Sequence, residues 1–134
     1  MQQSIKDYIM SNEGVRKYPY RCSAGKLTIG IGRNLEDKGL SDSEVIYLFD
    51  NDLQDTQDSA ESIFEDFSQY TIEEQTVVLD MLFNLGTTRF KTFKKFIRAI
   101  KERDLKEAAR QIEQSTYFHQ VPNRARRNMN LLGG

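Results

Sequence analysis

The stretch EGVRKYPYRCSAGKLTIGIGR, residues 13–33, decides how this chain is interpreted. It places a carboxylate at Glu13, a thiol at Cys22 and a hydroxyl at Thr28 within sixteen residues. Glu13 ends a short helical pattern, and Thr28 opens an alternating run broken by glycines, which is typical of a strand. An acid, a thiol and a hydroxyl held so close together indicate a candidate active site.

Length and composition indicate one small domain that does not depend on disulfides. A chain of 134 residues can bury a core of its own but leaves little room for a second domain. With one cysteine no intrachain disulfide can form, and with one histidine we expect no metal site and no cofactor. No run approaches the roughly 20 apolar residues of a membrane-spanning helix. We therefore expect neither a signal peptide nor a membrane anchor.

The charge is strongly segregated along the chain although the net charge is only −1. Residues 1–33 carry six basic and two acidic side chains, residues 34–80 one and fourteen, and residues 81–134 twelve and four. A basic surface of this kind can attract an anionic polymer such as a bacterial cell wall. The alternative is that acidic and basic helices only solvate and pair with each other. No nucleic-acid-binding motif accompanies the charge, so we expect no nucleic acid partner.

Hydrophobic periodicity predicts a mainly helical chain with one small β element. A helix is predicted over 4–12 and a β-hairpin or small sheet over about 18–35. Two capping boxes, at 41–44 and 71–74, predict helix starts, and Gly86 is predicted to end the second of these helices. Apolar stripes predict further helices around 93–100 and 105–112, and Pro122 suits the first turn of a last helix.

The spacing Glu13, eight residues, Cys22, five residues, Thr28 resembles the catalytic signature of the phage-type lysozymes. These are the muramidases of glycoside hydrolase family 24, in which the middle position is Asp or Cys. Three further segments resemble the family in the same order: FNLG at 83–86, EAA at 107–109 and PNRARR at 122–127. The resemblance covers nearly the whole chain, although the segment between Leu35 and Ser41 is shorter than in the T-even phage members.

The resemblance implies an α+β, mainly α, lysozyme-like fold in a single domain, residues 1–134. It would consist of an N-terminal helix over 1–12, a sheet-bearing lobe over about 13–52 and a helical lobe over about 53–134. A cleft is expected between the two lobes.

Glu13 is the general acid that the resemblance implies. Glutamic acid can protonate a leaving oxygen at neutral pH when a low-dielectric environment raises its pKa from about 4.3 towards 6. The family pairs this acid with the arginine of the PNRARR block, which is Arg124 here. A nearby cation favours the charged carboxylate, so the two effects oppose each other.

Cys22 decides the mechanism. In one interpretation Cys22 and Thr28 position or activate a water, and the anomeric carbon is inverted. In another the Cys22 thiolate attacks that carbon and the configuration is retained. Arg21 and Lys26 are candidates to stabilise the thiolate. Cys22 could also be a structural cysteine, and Thr28 could serve β-propensity alone.

Other residues receive supporting assignments. Arg33 occupies the place of a histidine that the family pairs with an acid, here Asp52, and we interpret that pair as structural. Gly30 and Gly32 are expected to serve tight packing or an unusual φ. The resemblance places four side chains near the sugar subsites, namely Phe83, Asn84, Gln111 and Tyr117. For Phe83 and Tyr117 the alternative is ordinary core packing.

The expected function is hydrolysis of the β-1,4 bond between N-acetylmuramic acid and N-acetylglucosamine in peptidoglycan. The resemblance implies a monomeric phage endolysin that accumulates in the host cytoplasm and reaches the periplasm and wall through a holin lesion, or a lysozyme carried in the virion. Two alternatives stay open, namely an inactive glycan-binding module and a retaining or transglycosylating variant that uses Cys22.

Overall fold

The computed structural model describes residues 2–133. The chain divides between Leu48 and Phe49 into two compact units. The elements of the first unit are α1 (Gln3–Glu13), β1 (Arg16–Arg21), β2 (Leu27–Gly30), β3 (Arg33–Asn34), α2 (Leu35–Lys38) and the start of α3 (Asp42–Ile63). The rest of α3 belongs to the second unit, which continues with a 3₁₀ turn (Phe67–Gln69), α4 (Ile72–Leu85), α5 (Thr87–Phe90), α6 (Lys94–Lys101), α7 (Leu105–Glu113), α8 (Thr116–Gln120) and α9 (Pro122–Leu131).

The first unit is built on an antiparallel sheet in the order β1-β2-β3. Tyr20 pairs with Thr28, and Thr28 pairs with Asn34 on its other side, so Thr28 lies in the central strand. The register of β1 slips between Arg16 and Tyr20, which is a bulge. The predicted small sheet is therefore confirmed, with Cys22 in the loop and Thr28 in the strand.

Helix α1 carries Glu13 as its last residue, one position beyond the predicted end. Gly14 follows with φ 77° and donates its backbone N–H to Met10 O, a position where a glycine is favoured because φ is positive. The apolar stripe of Ile5, Tyr8 and Ile9 is exposed, and none of the helix is buried.

The second unit contains the hydrophobic core. Helix α4 contributes its apolar stripe to it, including Val77, Val78 and Met81, which are fully buried. The rings of Phe64, Phe90 and Phe96 meet edge to face at centroid distances of 6.0–6.3 Å, a favoured aromatic geometry. The unit is therefore held together by one continuous apolar cluster.

The predicted helix boundaries hold because their signals are local. Thr71 and Glu74 form the reciprocal capping box that starts α4, and Gly86 at φ 81° ends that helix. Ser41 and Glu44 make the same reciprocal bonds at the start of α3. The elements that the periodicity missed are α2, α5, α8 and the 3₁₀ turn, each five residues or fewer and too short to show a period. The predicted α+β, mainly α, fold is confirmed.

No helix within residues 2–133 is long and apolar enough to cross a membrane.

Candidate active site

Glu13 rests directly on the backbone of Gly32, in the turn between β2 and β3. A Cβ built on Gly32 would lie 2.9 Å from Glu13 Cδ and 3.3 Å from Cγ, and nearer still to Oε2. Gly32 has φ 67°, so its conformation also favours glycine. The carboxylate therefore lies against the same hairpin that contains Thr28.

The surroundings of Glu13 differ from those expected. The side chain is exposed, because α1 ends there and buries none of its residues. The desolvation by apolar neighbours that the sequence led us to expect is therefore not provided by α1.

Cys22 opens the tight turn that joins β1 to β2. Its backbone N–H donates to Lys26 O at 3.0 Å, and its carbonyl accepts from Gly25 N at 2.8 Å. Gly25 has φ 78°, which lets the chain reverse within these few residues. The half-buried Cys22 side chain is thus fixed in the β1–β2 turn, whereas Gly32, which contacts Glu13, lies in the β2–β3 turn at the other end of β2.

Hydrogen bonds from the backbone lower the pKa of the Cys22 thiol. The largest contributions come from the backbone of Lys26 and then of Ala24; desolvation opposes them, and the Thr28 hydroxyl adds a smaller lowering. Successive N–H groups in a turn form a concave site that favours an anion. The turn therefore stabilises a thiolate at position 22.

The prediction that the Arg21 and Lys26 charges stabilise this thiolate is corrected: both side chains form ion pairs with α2, and of these two residues only the backbone of Lys26 lowers the pKa of the thiol. Arg21 Nη1 lies 3.2 Å from Glu36 Oε1, and Lys26 Nζ lies 3.5 Å from Glu36 Oε2 and 3.4 Å from Asp37 Oδ1. Glu36 and Asp37 belong to α2, whose existence the sequence did not reveal. These ion pairs link the Cys22 turn to α2, and the backbone acts on the thiol.

Thr28 is the one buried residue among those described in the first unit, with 3% of its surface exposed. Its hydroxyl donates to Lys26 O at 2.8 Å. The hydroxyl has a single proton, so it can serve Lys26 O or a Cys22 thiolate but not both at once. The structure thus brings Thr28 and Cys22 together, while their catalytic roles stay a prediction.

Arg33 binds Glu44, a partner that the sequence did not identify. Arg33 Nη2 lies 2.6 Å from Glu44 Oε2, and Nη1 donates to Oε1 at 2.7 Å. The hydrogen bonds from Arg33 and Ser41 lower the pKa of Glu44 to about 2. The proposed pairing of Arg33 with Asp52 joins residues of the two units and stays a prediction.

Arg124 is held by Asp80 in the second unit. Its Nε donates to Oδ2 at 2.8 Å and its Nη2 to Oδ1 at 2.7 Å, a two-pronged geometry that arginine and carboxylate favour. Asn128 donates to the same carboxylate at 3.0 Å. The pairing of Arg124 with Glu13 again joins the two units and stays a prediction.

The structure excludes Tyr117 as a sugar-binding residue. This side chain has no exposed surface, and its hydroxyl accepts a hydrogen bond from Asn128 at 2.9 Å. A side chain without accessible atoms cannot contact a glycan, so Tyr117 is a core residue, as the alternative interpretation held.

The other three candidates remain accessible. Phe83 is 40% exposed with its ring 5.6 Å from that of Phe49, and Asn84 is exposed beside it. Gln111 lines an open hollow of about 410 Å³ together with Phe93 and Lys95. Their contact with sugars stays a prediction.

Within residues 2–133, no three His, Cys, Asp or Glu side chains converge as a metal site would require.

Sequence reasoning missed three partners of the predicted site residues, namely Gly32 beside Glu13, Glu44 beside Arg33 and Asp80 beside Arg124. Glu44 could have been found, because it lies in the same short segment and also completes a capping box. Nothing in the sequence singled out Asp80 among the fourteen acids of residues 34–80.

Comparison with known proteins identifies the family of this chain. Residues 10–128 match the family described as phage lysozyme, which covers most of the chain. The chain belongs to the phage lysozyme family and is a lysozyme-like hydrolase, for which the family implies peptidoglycan as the substrate.

Two relatives from Dictyostelium discoideum carry matching names. The first, called probable T4-type lysozyme 1, is 28% identical over 98% of this chain and 95% of its own length. The second, called probable T4-type lysozyme 2, is 26% identical over 95% of this chain and 92% of its own length. The similarity therefore extends over nearly the full length of both relatives.

Proposed function

We propose that this chain is an N-acetylmuramidase that hydrolyses the β-1,4 bond between N-acetylmuramic acid and N-acetylglucosamine in peptidoglycan. The observation that carries the proposal is the placement of Glu13 on Gly32, in the hairpin whose central strand holds Thr28 beside Cys22. An accessible carboxylic acid and a second polar group on one small sheet are the parts that glycoside hydrolysis needs.

Glu13 acts as the general acid in this proposal. It gives its proton to the glycosidic oxygen as the bond to the anomeric carbon breaks, and positive charge develops on the sugar ring. Because the side chain is exposed, a glycan can reach it without rearrangement of the hairpin. The bound glycan then covers Glu13 and excludes water from it.

Cys22 and Thr28 position the attacking water. The Thr28 hydroxyl can accept a hydrogen bond from a water while its own proton is held by Lys26 O. The water adds its oxygen to the anomeric carbon on the face opposite to the leaving group and loses its proton to Cys22. The configuration at the anomeric carbon is inverted.

A second candidate mechanism is favoured by the lowered pKa of Cys22. The thiolate forms a Sγ–C1 bond as the glycosidic bond breaks, Glu13 protonates the leaving oxygen, and water then cleaves the thioglycoside with retention. Variants Cys22→Asp, Cys22→Ser and Cys22→Ala separate the two mechanisms. Activity of the Asp variant equal to the wild type supports water positioning, whereas loss in all three, with a mass-detectable adduct and retained product anomer by NMR, supports the nucleophile.

The deciding experiment for the function compares the wild type with Glu13→Gln by zymography on cell-wall sacculi. Gln has the shape of Glu but no proton to transfer, so the clear zone of the wild type should vanish. Clearing by both proteins would show that Glu13 is not the general acid. Clearing by neither, with retained binding to sacculi, would favour the glycan-binding module.

The biological setting that we propose is lysis of a bacterial host by a phage. The phage lysozyme family supports this setting, and the excess of basic residues in 81–134 suits an anionic wall. The protein would act as a monomer that collects in the host cytoplasm and passes through a holin lesion, or that travels in the virion. Expression in a bacterium with and without a holin tests the first route, since lysis should require the holin.

A further inference from the structure

Gly30 and Gly32 have nearly the same backbone conformation but very different surroundings. Their φ values are 71° and 67°, in the left-handed region that side chains rarely adopt. A Cβ on Gly30 would meet nothing within 4 Å. A Cβ on Gly32 would collide with the Cδ and Oε2 atoms of Glu13. The backbone conformation alone thus explains glycine at both positions, and the contact with Glu13 is an additional requirement at Gly32.

We propose that Gly32 is a positioning residue for the general acid: its bare Cα forms the surface on which the Glu13 carboxylate rests. This inference deepens the proposed function and rests on Glu13 as the acid. The exposed Glu13 side chain would otherwise be free to sample several rotamers. The absence of a Cβ leaves room for the carboxylate directly against the turn that joins β2 to β3.

The size of the collision predicts a kinetic effect. Non-bonded carbon atoms prefer separations of about 3.5–4.0 Å. A methyl group at position 32 would lie 2.9 Å from Glu13 Cδ, so the carboxylate must move by roughly 1 Å. A displacement of about 1 Å in a catalytic group can reduce the rate by about a hundredfold.

The kinetic test compares Gly32→Ala with Gly30→Ala on soluble peptidoglycan fragments. Both variants place a methyl group on a backbone with positive φ, so both should lower the melting temperature, and Gly32→Ala should lower it further because its methyl group also displaces Glu13. For Gly32→Ala we expect kcat to fall by about a hundredfold while KM stays within about twofold, because only the chemical step loses its acid. Gly30→Ala should keep kcat within a few-fold of the wild type. Equal losses of kcat in the two variants would overturn the proposal.

A second test detects the contact between Gly32 and Glu13 through melting temperatures and does not require enzymatic activity. Each alanine variant is also made in the Glu13→Ala background, which removes the colliding carboxylate. We expect Gly32→Ala to lower the melting temperature less in that background than in the wild type, whereas Gly30→Ala should have the same effect in both. If Gly32→Ala prevents folding in both backgrounds, or costs the same in both, the contact does not position Glu13.

A rescue variant separates this inference from the proposed function. Asp is one methylene shorter than Glu, so Glu13→Asp together with Gly32→Ala should recover part of the kcat that Gly32→Ala loses. Full activity of Glu13→Gln would reject the proposed function, whatever the glycine variants do. An inactive Glu13→Gln with no difference between Gly32→Ala and Gly30→Ala would reject the positioning role alone.

Discussion

Arg124 of α9 donates two hydrogen bonds to the Asp80 carboxylate of α4, and Asn128, one helical turn further along α9, donates to the same carboxylate. Burial raises the pKa of Asp80, but the hydrogen bonds from Arg124 and Asn128 and the charges of Arg124 and Arg127 outweigh it, so the pKa lies below its usual value. The result is a polar connection between two helices at the edge of the apolar core.

Replacement of Asp80 by Asn should destabilise the second unit. Arg124 would lose its charged partner, and we expect the free energy of unfolding to fall by about 1–2 kcal/mol, a modest amount because both side chains are about one-third exposed. Urea unfolding measures the change, and the exposed Asp55→Asn on α3 is the matched control. The difference from the wild type should vanish as the pH falls through the lowered pKa of Asp80, since the protonated wild type also lacks the charge. Equal stability of Asp80→Asn and the control at neutral pH would contradict this role.

The bond between Asn128 and Tyr117 can be tested by a double-mutant cycle. Asn128→Ala leaves the buried Tyr117 hydroxyl without its donor, and we expect a loss of about 1–3 kcal/mol in unfolding free energy. In the Tyr117→Phe background the hydroxyl is absent, so the same change should cost less. Thermal or urea unfolding of the four proteins gives the coupling. Strictly additive effects would show that the two side chains act independently.

The ion pair between Arg33 and Glu44 should make the stability of the protein sensitive to acid. The folded pKa of Glu44 is about 2, below its usual value of 4.5, so its contribution is complete above pH 4.5 and is lost as the pH falls towards 2. Glu44→Gln retains the capping geometry but has no charge, so its stability should decline less over this range. Unfolding free energies from pH 6 to 2 check this.

Glu107 also titrates in that range because Arg110 lowers its pKa to about 2. The test therefore compares how the unfolding free energy of each variant and of the wild type changes with pH, because the pH dependence of the wild type alone also contains the contribution of Glu107. Arg33→Gln should flatten the acid response in the same way as Glu44→Gln. An unchanged acid response in both variants would show that the pair contributes nothing to folding.

Cys22 should react with iodoacetamide at lower pH than an ordinary thiol. The backbone N–H groups of the turn lower its pKa from the usual 9.0, so the midpoint of the alkylation rate should lie below that value. The chain has one cysteine, which makes labelling site-specific, and Cys22→Ser is the blank. Thr28→Val should raise the midpoint because the hydroxyl contribution is lost.

The same assay tests whether the charges of Arg21 and Lys26 stabilise the Cys22 thiolate. Arg21→Gln and Lys26→Gln should leave the alkylation midpoint close to that of the wild type, because their cations bind Glu36 and Asp37. A clear rise in either variant would mean that side-chain charge stabilises the thiolate after all.

Features that depend on near neighbours in the chain were predictable from the sequence. They include the reciprocal bonds of Thr71 with Glu74, the glycine after α4 and the loop and strand positions of Cys22 and Thr28. Such features follow from spacing and residue type alone. The signature of Glu13, Cys22 and Thr28 belongs to this class, because all three residues lie within one short segment of the chain.

Contacts between residues that are far apart in the sequence were not predictable in the same way. Arg124 and Asp80 are 44 residues apart in the sequence. Each of the fourteen acidic residues in 34–80 carries the same charge, so charge alone does not identify Asp80 as the partner of Arg124. The position of Gly32 under Glu13 depends on how the strand pair turns relative to the end of α1. Tyr117 could be a sugar-binding ring or a core ring from its sequence context, and only burial decides between the two.

The backbone turn around Cys22 has a consequence for how this site can change during evolution. Its anion-stabilising N–H groups belong to the main chain of Ala24 and Lys26, so they are present whatever side chain stands at position 22. A carboxylate there would meet the same donors as the thiolate. Replacement of cysteine by aspartate at position 22 thus leaves these main-chain donors in place without any accompanying substitution in the turn. Position 22 is therefore a place where an anionic side chain of either kind finds support from the main chain alone.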